Sequence, residues 1–318
     1  MKKYSEFSLI QKIKEDFKFE DKNVIGIGDD CAFLAGANKN LLFTTDALVE
    51  NKHFIFEKTD FFLLGRKSLA VNISDIAAMG GEPLYFLLTL GIPAYMEDVF
   101  IEKFLLGLKE MSDLYKIRLI GGDCVASDNF FVSITLIGKT MKNPILRSGA
   151  KPHDYIYVTG SIGDSFFGLS ILLGEKELSF KDENYFVKRH LDPEPKVNLM
   201  SKIVNKYVVN SAIDVSDGML GDLIHIAEES KCGFELFLDK VPLSKDKIGD
   251  SLKDREMDYI LKAISGGEDY EIIFTSPDII KDKDITMIGK ILDKDYKIFY
   301  KDKEFDLTNI KYKSFIHF

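Results

Sequence analysis

The sequence predicts a two-domain protein of the α/β (α+β) class, and three observations predict it. Two series of strand and helix signals occur, each mixing both kinds of element, with a polar, turn-rich stretch at 142–154 (KNPILRSGAKPHD) between them. A chain of 318 residues is long enough for two domains. Hydrophobic residues at 46% and charged residues at 29% allow a sizeable core and argue against global disorder.

In the first half, β-branched and aromatic enrichment marks 40–45 (NLLFTT), 84–90 (LYFLLTL) and 130–137 (FFVSITLI) as strands. Apolar residues at helical spacing mark 61–79 and 99–115 as helices. The second half opens with a strand at 155–159 and a helical run at 165–173. Between Gly174 and Pro195 the pattern weakens into charged residues, and Pro193 and Pro195 oppose a continuous helix. That segment reads as a connecting excursion or a mobile lid. Further on, 234–238 and 270–274 read as short strands around a helix at 220–230. Lysine and aspartate dominate 281–303, which reads as a solvated edge hairpin.

The net charge of −9 argues against a nucleic-acid surface built on phosphate contacts. It argues equally against direct capture of a small phosphorylated substrate, so divalent cations would have to stand between the like charges. Cys31, Cys124 and Cys232 lie far apart with no CxxC, which reads as reduced thiols. Charges interrupt the N-terminus (MKKYSEFSLIQKIKED) before a signal-peptide core forms, and the most apolar stretch, 84–93, is too short to cross a bilayer. The expectation is a soluble cytoplasmic protein with neither a nucleic-acid nor a membrane partner.

The chemistry concentrates in aspartates beside glycine or at the edges of apolar segments. Gly26-Ile27-Gly28-Asp29-Asp30 pairs permissive backbone with two hard oxygen donors, and its residues alone leave open a metal site or an Asp-capped turn. Thr44-Thr45-Asp46 is expected at a strand's C-terminal end, where ligands bind in α/β folds. Asp75, in Asn72-Ile73-Ser74-Asp75, interrupts an apolar helical stretch and is costly to bury without a partner. Gly121-Gly122-Asp123 is expected at another strand end. In Asp214-Val215-Ser216-Asp217-Gly218, if 212–215 is a strand, Asp214 and Ser216 share one face, with Asp217 opening the next helix. Ser265-Gly266-Gly267-Glu268-Asp269-Tyr270 sets two acids between a diglycine and a strand. Magnesium suits this collection, because it binds through one or two carboxylates together with waters and substrate phosphates. GxxxxGK[ST], the protein-kinase motif set and HExxH do not occur, which excludes a P-loop and leaves a zinc hydrolase unsupported.

Taken together these motifs resemble the thiamine-monophosphate kinase family, in the superfamily typified by aminoimidazole ribonucleotide synthetase. The resemblance runs almost end to end: EFSLI from Glu6, GIGDDCA from Gly26, TTDALVENKHF from Thr44, AVNISDIAAMG from Ala70 and IGGD from Ile120. It continues through RSGAKPHDYIYVTGSIGD from Arg147, KRHLDPEP from Lys188, AIDVSDG from Ala212 and SGGEDYE from Ser265. It implies ATP-dependent phosphorylation of thiamine monophosphate, with several Mg2+ ions and K+ as a further cation it allows. It also implies an N-terminal ATP/metal-binding domain, residues 1–142, that forms a β-barrel with its symmetry mate in a homodimer, and a C-terminal domain, 151–318, that closes the active site.

By resemblance Asp30, Thr44, Thr45, Asp46, Asp75, Asp123, Asp214 and Asp217 hold the metal ions, with Asp30, Asp75, Asp123 and Asp214 closest to the chemistry. Gly121, Gly122, Arg147 and Ser216 contact ATP, and His53, Glu268 and Phe315 contact the thiamine moiety. Ser314 stands where many relatives carry glycine before that aromatic. The alternatives are another ATP-using enzyme of the superfamily or a non-catalytic binder of divalent cations. The selenide branch needs a reactive N-terminal cysteine and the hydrogenase-maturation branch a C-terminal one; nothing before Cys31 fits the first, and the chain ends SFIHF.

Overall fold

The fold is taken from a computed structural model, which describes residues 11, 23–25, 28–36, 40–140 and 142–305. In the first half the strands β1 (Val24–Ile25), β2 (Ala32–Leu34), β3 (Asn40–Val49), β4 (Glu82–Ile92), β5 (Arg118–Ala126) and β6 (Phe131–Thr140) form one sheet in the order β1-β2-β3-β6-β4-β5. All neighbours are antiparallel except β4 and β5. Alternation along β6 buries Val132, Ile134 and Leu136 on one face and leaves Ser133, Thr135 and Ile137 half-exposed on the other. Two helices, α1 (Phe61–Ala78) and α2 (Asp98–Tyr115), cover the buried face. The Asp60 carboxylate starts α1 by accepting from the amides of Phe62 and Leu63 (2.9 and 3.2 Å).

Helix α1 is buried nearly all round, because the second half packs on its far side. That half contains β7 (Tyr155–Thr159), α3 (Asp164–Leu173), α4 (Glu183–Leu191), α5 (Val197–Lys206), β8 (Ser211–Asp214), α6 (Met219–Ser230) and β9 (Gly233–Phe237). It ends with α7 (Lys245–Ile248), α8 (Leu252–Ser265), β10 (Ile272–Ser276), β11 (Ile285–Leu292), β12 (Tyr296–Tyr300) and β13 (Lys303–Phe305). Its seven strands run in the order β13-β12-β9-β11-β7-β10-β8. Both faces are covered: Ile156 and Val158 join the core of α3, α6 and α8, while Tyr157 and Phe274 stack at 5.3 Å on the side of α5 and α1. Coverage on two faces explains why β10 is apolar or buried at every position.

Several expectations change. Thr44, Thr45 and Asp46 lie in the middle of β3, and Gly121-Gly122-Asp123 lies inside β5, so neither motif ends a strand. The strand expected from 270 begins at Ile272, because Glu268 and Tyr270 hold left-handed backbone (φ 64° and 52°). Asp217 does not open a helix: α6 starts at Met219, after Gly218 at φ 119°. The charged segment 174–195 contains α4, which buries Phe186 and His190 and stops before Pro193. Of the expected hairpin at 281–303, only β12–β13 forms an edge; β11 lies between β7 and β9 with Ile288 and Ile291 fully buried. Among the described residues no helix is long and apolar enough to cross a membrane.

Candidate active site

Where the two halves meet, β3, α1 and β8 deliver acids into a cleft of about 690 Å³. Asp30 comes from the turn before β2, Asp75 from α1 and Asp214 from the last position of β8. One carboxylate oxygen of each lies within 4.8 Å of the others. Opposite ligands of a magnesium ion stand about 4.2 Å apart, so the three suit a common hard cation. Among the described residues, one Asp30 oxygen, Oδ2, is buried without a hydrogen-bond partner. Such an atom demands a proton or a cation. Burial pushes all three carboxyls above the usual range; neighbouring carboxylates raise Asp75 and Asp214 further, whereas Arg147 opposes the rise at Asp30. The donor set therefore fits a divalent ion.

Neighbours hold these acids in place. Thr44 Oγ1 donates to Asp75 Oδ2, and Ser74 Oγ donates to Asp214 Oδ2 at 2.7 Å. The Asp46 amide donates to Asn72 Oδ1 (3.2 Å), which sets β3 against α1. Arg147 binds Asp30 Oδ1 through Nε (2.9 Å), while its amide donates to Asp29 Oδ1 (2.6 Å). Burial, opposed by that amide bond but joined by the charges of Asp30 and Glu229, raises Asp29 to about 6. The Thr45 hydroxyl turns to the other face of β3, where it donates to the Ile134 carbonyl (3.1 Å) and accepts from Thr135 Oγ1 (3.2 Å).

From the second half, the turn 215–218 brings Ser216 and Asp217 to the cleft. The buried Asp222 carboxylate fixes that turn by accepting from the amides of Ser216 (3.2 Å) and Asp217 (3.3 Å). Gly267 passes so close that a Cβ there would stand 2.2 Å from the Ser216 carbonyl oxygen.

A second, more apolar cavity of about 270 Å³ adjoins the cleft and shares Leu48, His53 and Glu268 with it. Leu64, Leu169 and Leu172 supply apolar wall, and Lys67 and His190 supply polar groups. Lys67, with only 5% of its side chain exposed, reaches Glu268 Oε2 at 3.2 Å. Burial alone would raise the Glu268 carboxyl, but the charge and hydrogen bond of Lys67 hold it below its ordinary value, so it stays ionised. Burial and the Lys67 charge drive His190 down to about 3, and its Nδ1 lies 3.0 Å from Ser165 Oγ. His53 Nδ1 accepts from the Val49 amide at 3.0 Å, which leaves Nε2 to carry the proton of the neutral ring. A larger, open depression of about 860 Å³ near Phe180 and Leu252 is ringed largely by surface lysines and acids, and convergent acids favour the cleft as the site.

The structure brings Asp30, Thr44, Thr45, Asp46, Asp75, Arg147, Asp214, Ser216 and Asp217 to the lining of one cleft, with His53 and Glu268 at its apolar end. It does not bring Gly121, Gly122 and Asp123 there. They lie on the exposed edge strand β5, three strand spacings from β3, or roughly 14 Å. A Cβ at Gly122 would meet the Leu88 carbonyl oxygen at 1.9 Å, so that glycine serves the close pairing of β5 with β4. Phe315 lies outside the described residues. Sequence reasoning missed Lys67, His190, Asp222 and Tyr270. A signal for Lys67 was present, since Lys67, Val71 and Asp75 repeat every fourth residue and share one line along α1.

Residues 28–140 match the family model of the AIR synthase related protein, N-terminal domain, and 151–273 match that of the C-terminal domain. The chain is 40% identical to a thiamine-monophosphate kinase of Buchnera aphidicola subsp. Schizaphis graminum, covering 91% of this chain and 88% of that one. It is 40% identical to the thiamine-monophosphate kinase of Escherichia coli K12, covering 86% and 83%. The solved structure of AaThiL complexed with AMPPCP and TMP superposes with a TM-score of 0.83 at 34% identity, covering 99% of this chain and 97% of that one.

Proposed function

The chain belongs to the thiamine-monophosphate kinase family of AIR synthase related proteins and phosphorylates thiamine monophosphate with ATP as donor, and from that premise we propose how its residues divide the work. The observation that carries the reading is the meeting of three buried carboxylates within 4.8 Å beside an apolar cavity that shares Glu268 and His53 with them.

Asp30, Asp75 and Asp214 hold Mg2+, with Thr44, Asp46 and Asp217 at the margins of the same cleft. Bound there, Mg2+ supplies the positive charge that lets two polyanions approach and spreads the charge of the transferring group. Thr44 and Ser74 orient Asp75 and Asp214 toward it. Arg147 and Ser216 face the ATP phosphates, and Asp222 keeps the Ser216 turn in shape. The apolar cavity takes the thiamine rings. There the ionised Glu268, braced by Lys67, accepts from the aminopyrimidine or faces the thiazolium charge, with His53 beside it. Phe315 is assigned the aromatic contact by the resemblance alone. The acceptor is already a phosphate oxygen, so no protein base is needed to create the nucleophile. Transfer is then direct and in line, without a phosphoenzyme.

The proposed working form is a cytoplasmic homodimer in which residues 1–142 dimerise and 151–318 close over the substrates. Strand β5 is exposed along its whole length, and Leu87, Leu119, Ile120 and Val125 lie open on β4 and β5. An unpaired, apolar edge of that kind favours pairing with a second copy. The open six-stranded sheet would close into a barrel through that edge.

A coupled assay for ADP, with thiamine monophosphate, thiamine and an aminoimidazole precursor as competing acceptors, tests the function. Turnover is expected with thiamine monophosphate alone. Turnover with thiamine instead, or a phosphorylated side chain trapped during the reaction, would refute this reading.

A further inference from the structure

Residues 268–270 send three successive side chains to three different places. Glu268 lines both cavities. The Asp269 carboxylate turns inward and accepts from the amides of Gly163 (2.6 Å) and Ser165 (2.9 Å) at the start of α3. Tyr270 turns into the acidic cleft. The backbone that makes this fan is strained, with Glu268 and Tyr270 both left-handed at φ 64° and 52°. It is held there by the amide of Glu268 on the Ser216 carbonyl (2.8 Å) and that of Tyr270 on the Val215 carbonyl (2.9 Å). A chain anchored in this way to the turn that carries Ser216 has little freedom to move its tyrosine.

The Tyr270 residue is only 7% exposed, yet its hydroxyl makes no hydrogen bond among the described residues and is not sealed from the cleft. A hydroxyl that opens on a cleft in this way can donate to whatever occupies it. Its electrostatic surroundings are Glu268, Asp46, Asp214 and Asp75, and burial together with those carboxylates drives the phenol well above its ordinary value. A phenol is protonated at neutral pH without any such shift, so the group presents a donor. Metal binding would occupy the oxygens of Asp46, Asp75 and Asp214, and Lys67 already engages Glu268. The hydroxyl remains open to an acceptor that a substrate brings into the cleft.

We propose that Tyr270 is a further substrate-contacting residue, whose hydroxyl donates to a phosphate oxygen of thiamine monophosphate and so positions the acceptor for attack. The proposal rests on the kinase reading given above. With the thiamine rings in the apolar cavity and the metal carboxylates in the cleft, the acceptor phosphate lies where the cavities join. Tyr270 stands two residues from Glu268, which contacts the same molecule at its other end. The phenol transfers no proton in the step. It contributes one hydrogen bond to a charged oxygen and one fixed direction.

The test compares the wild-type enzyme with Tyr270→Phe, using Mg·ATP and thiamine monophosphate, with each substrate varied in turn. Loss of one hydrogen bond to a charged group corresponds to about a 10- to 100-fold fall in kcat/KM for thiamine monophosphate. The KM for ATP and the thermal midpoint should stay essentially unchanged, because the ring and its packing are kept. Titration of thiamine monophosphate in the presence of Mg·ADP, which needs no turnover, should show weaker binding by Tyr270→Phe. A kcat/KM within twofold of wild type, or a loss that appears only when ATP is varied, would overturn the proposal. Should Tyr270→Phe have a lowered midpoint, the titration is repeated with folded protein at low temperature, and unaltered binding there overturns it. If the wild-type chain itself fails to turn over thiamine monophosphate, it is the kinase reading that fails.

Discussion

Among the described residues no ion pair reaches Asp75 or Asp214, and the cation that acts on Asp214, Arg147, is bonded to Asp30. A buried carboxyl whose folded pKa exceeds its unfolded value binds its proton first in the native state. Between those two values the native protein holds more protons, so stability without metal falls as pH rises. A bound divalent ion removes that penalty and displaces the protons. The rise in thermal midpoint on adding Mg2+ should accordingly be larger at pH 8 than at pH 6. Asp75→Asn should remove one like charge, leaving the metal-free midpoint equal or higher, while Mg2+ loses most of its effect and turnover drops by on the order of 100-fold. Unchanged turnover would remove Asp75 from the metal set.

At the scale of elements, α1 acts as a ruler between the two cavities. Its helical repeat puts Lys67 against Glu268 in the apolar pocket and Asp75 in the metal cleft, two turns apart on one line. Helix α4 closes the apolar pocket from the other domain and buries His190, whose pKa falls to about 3. The unfolded chain takes up that proton near pH 6.5 and the folded one does not, so unfolding free energy falls as pH drops from about 6.5 toward 3. Each pH unit well inside that window corresponds to about 1.4 kcal/mol. His190→Asn should flatten this part of the stability–pH curve in urea titrations, and an unaltered slope would contradict it. Helix α1 was legible from its apolar spacing. Helix α4 was not, because its charged residues outnumber the two that it buries and two prolines follow close behind.

For the whole molecule, the open question posed by one chain is Asp123, which sits on β5 roughly 14 Å across the sheet from β3. A role in the cleft then depends on how chains associate along β5. Leu119→Glu puts a charge on the exposed apolar edge, and light scattering should report a monomer where the wild-type chain reports a dimer. Turnover should fall together with the dimer. A monomeric wild-type chain, or a dimeric variant, would count against the proposed assembly.

By itself the sequence determined the class of the protein, the order of most of its elements and the acidic character of its site. Apolar periodicity and strand propensity are local, and an aspartate in an apolar run is visible wherever it falls. What only the tertiary structure decided was company. Asp30, Asp75 and Asp214 come from a turn, a helix and a strand, and packing of the two halves on α1 brings them within 4.8 Å. The same packing buries Lys67 against Glu268 and aims Tyr270 into the cleft. It also leaves Gly121, Gly122 and Asp123 on an open edge. Spacing along a chain says which side of an element a residue takes, whereas the distance between elements is set by the core that they bury together.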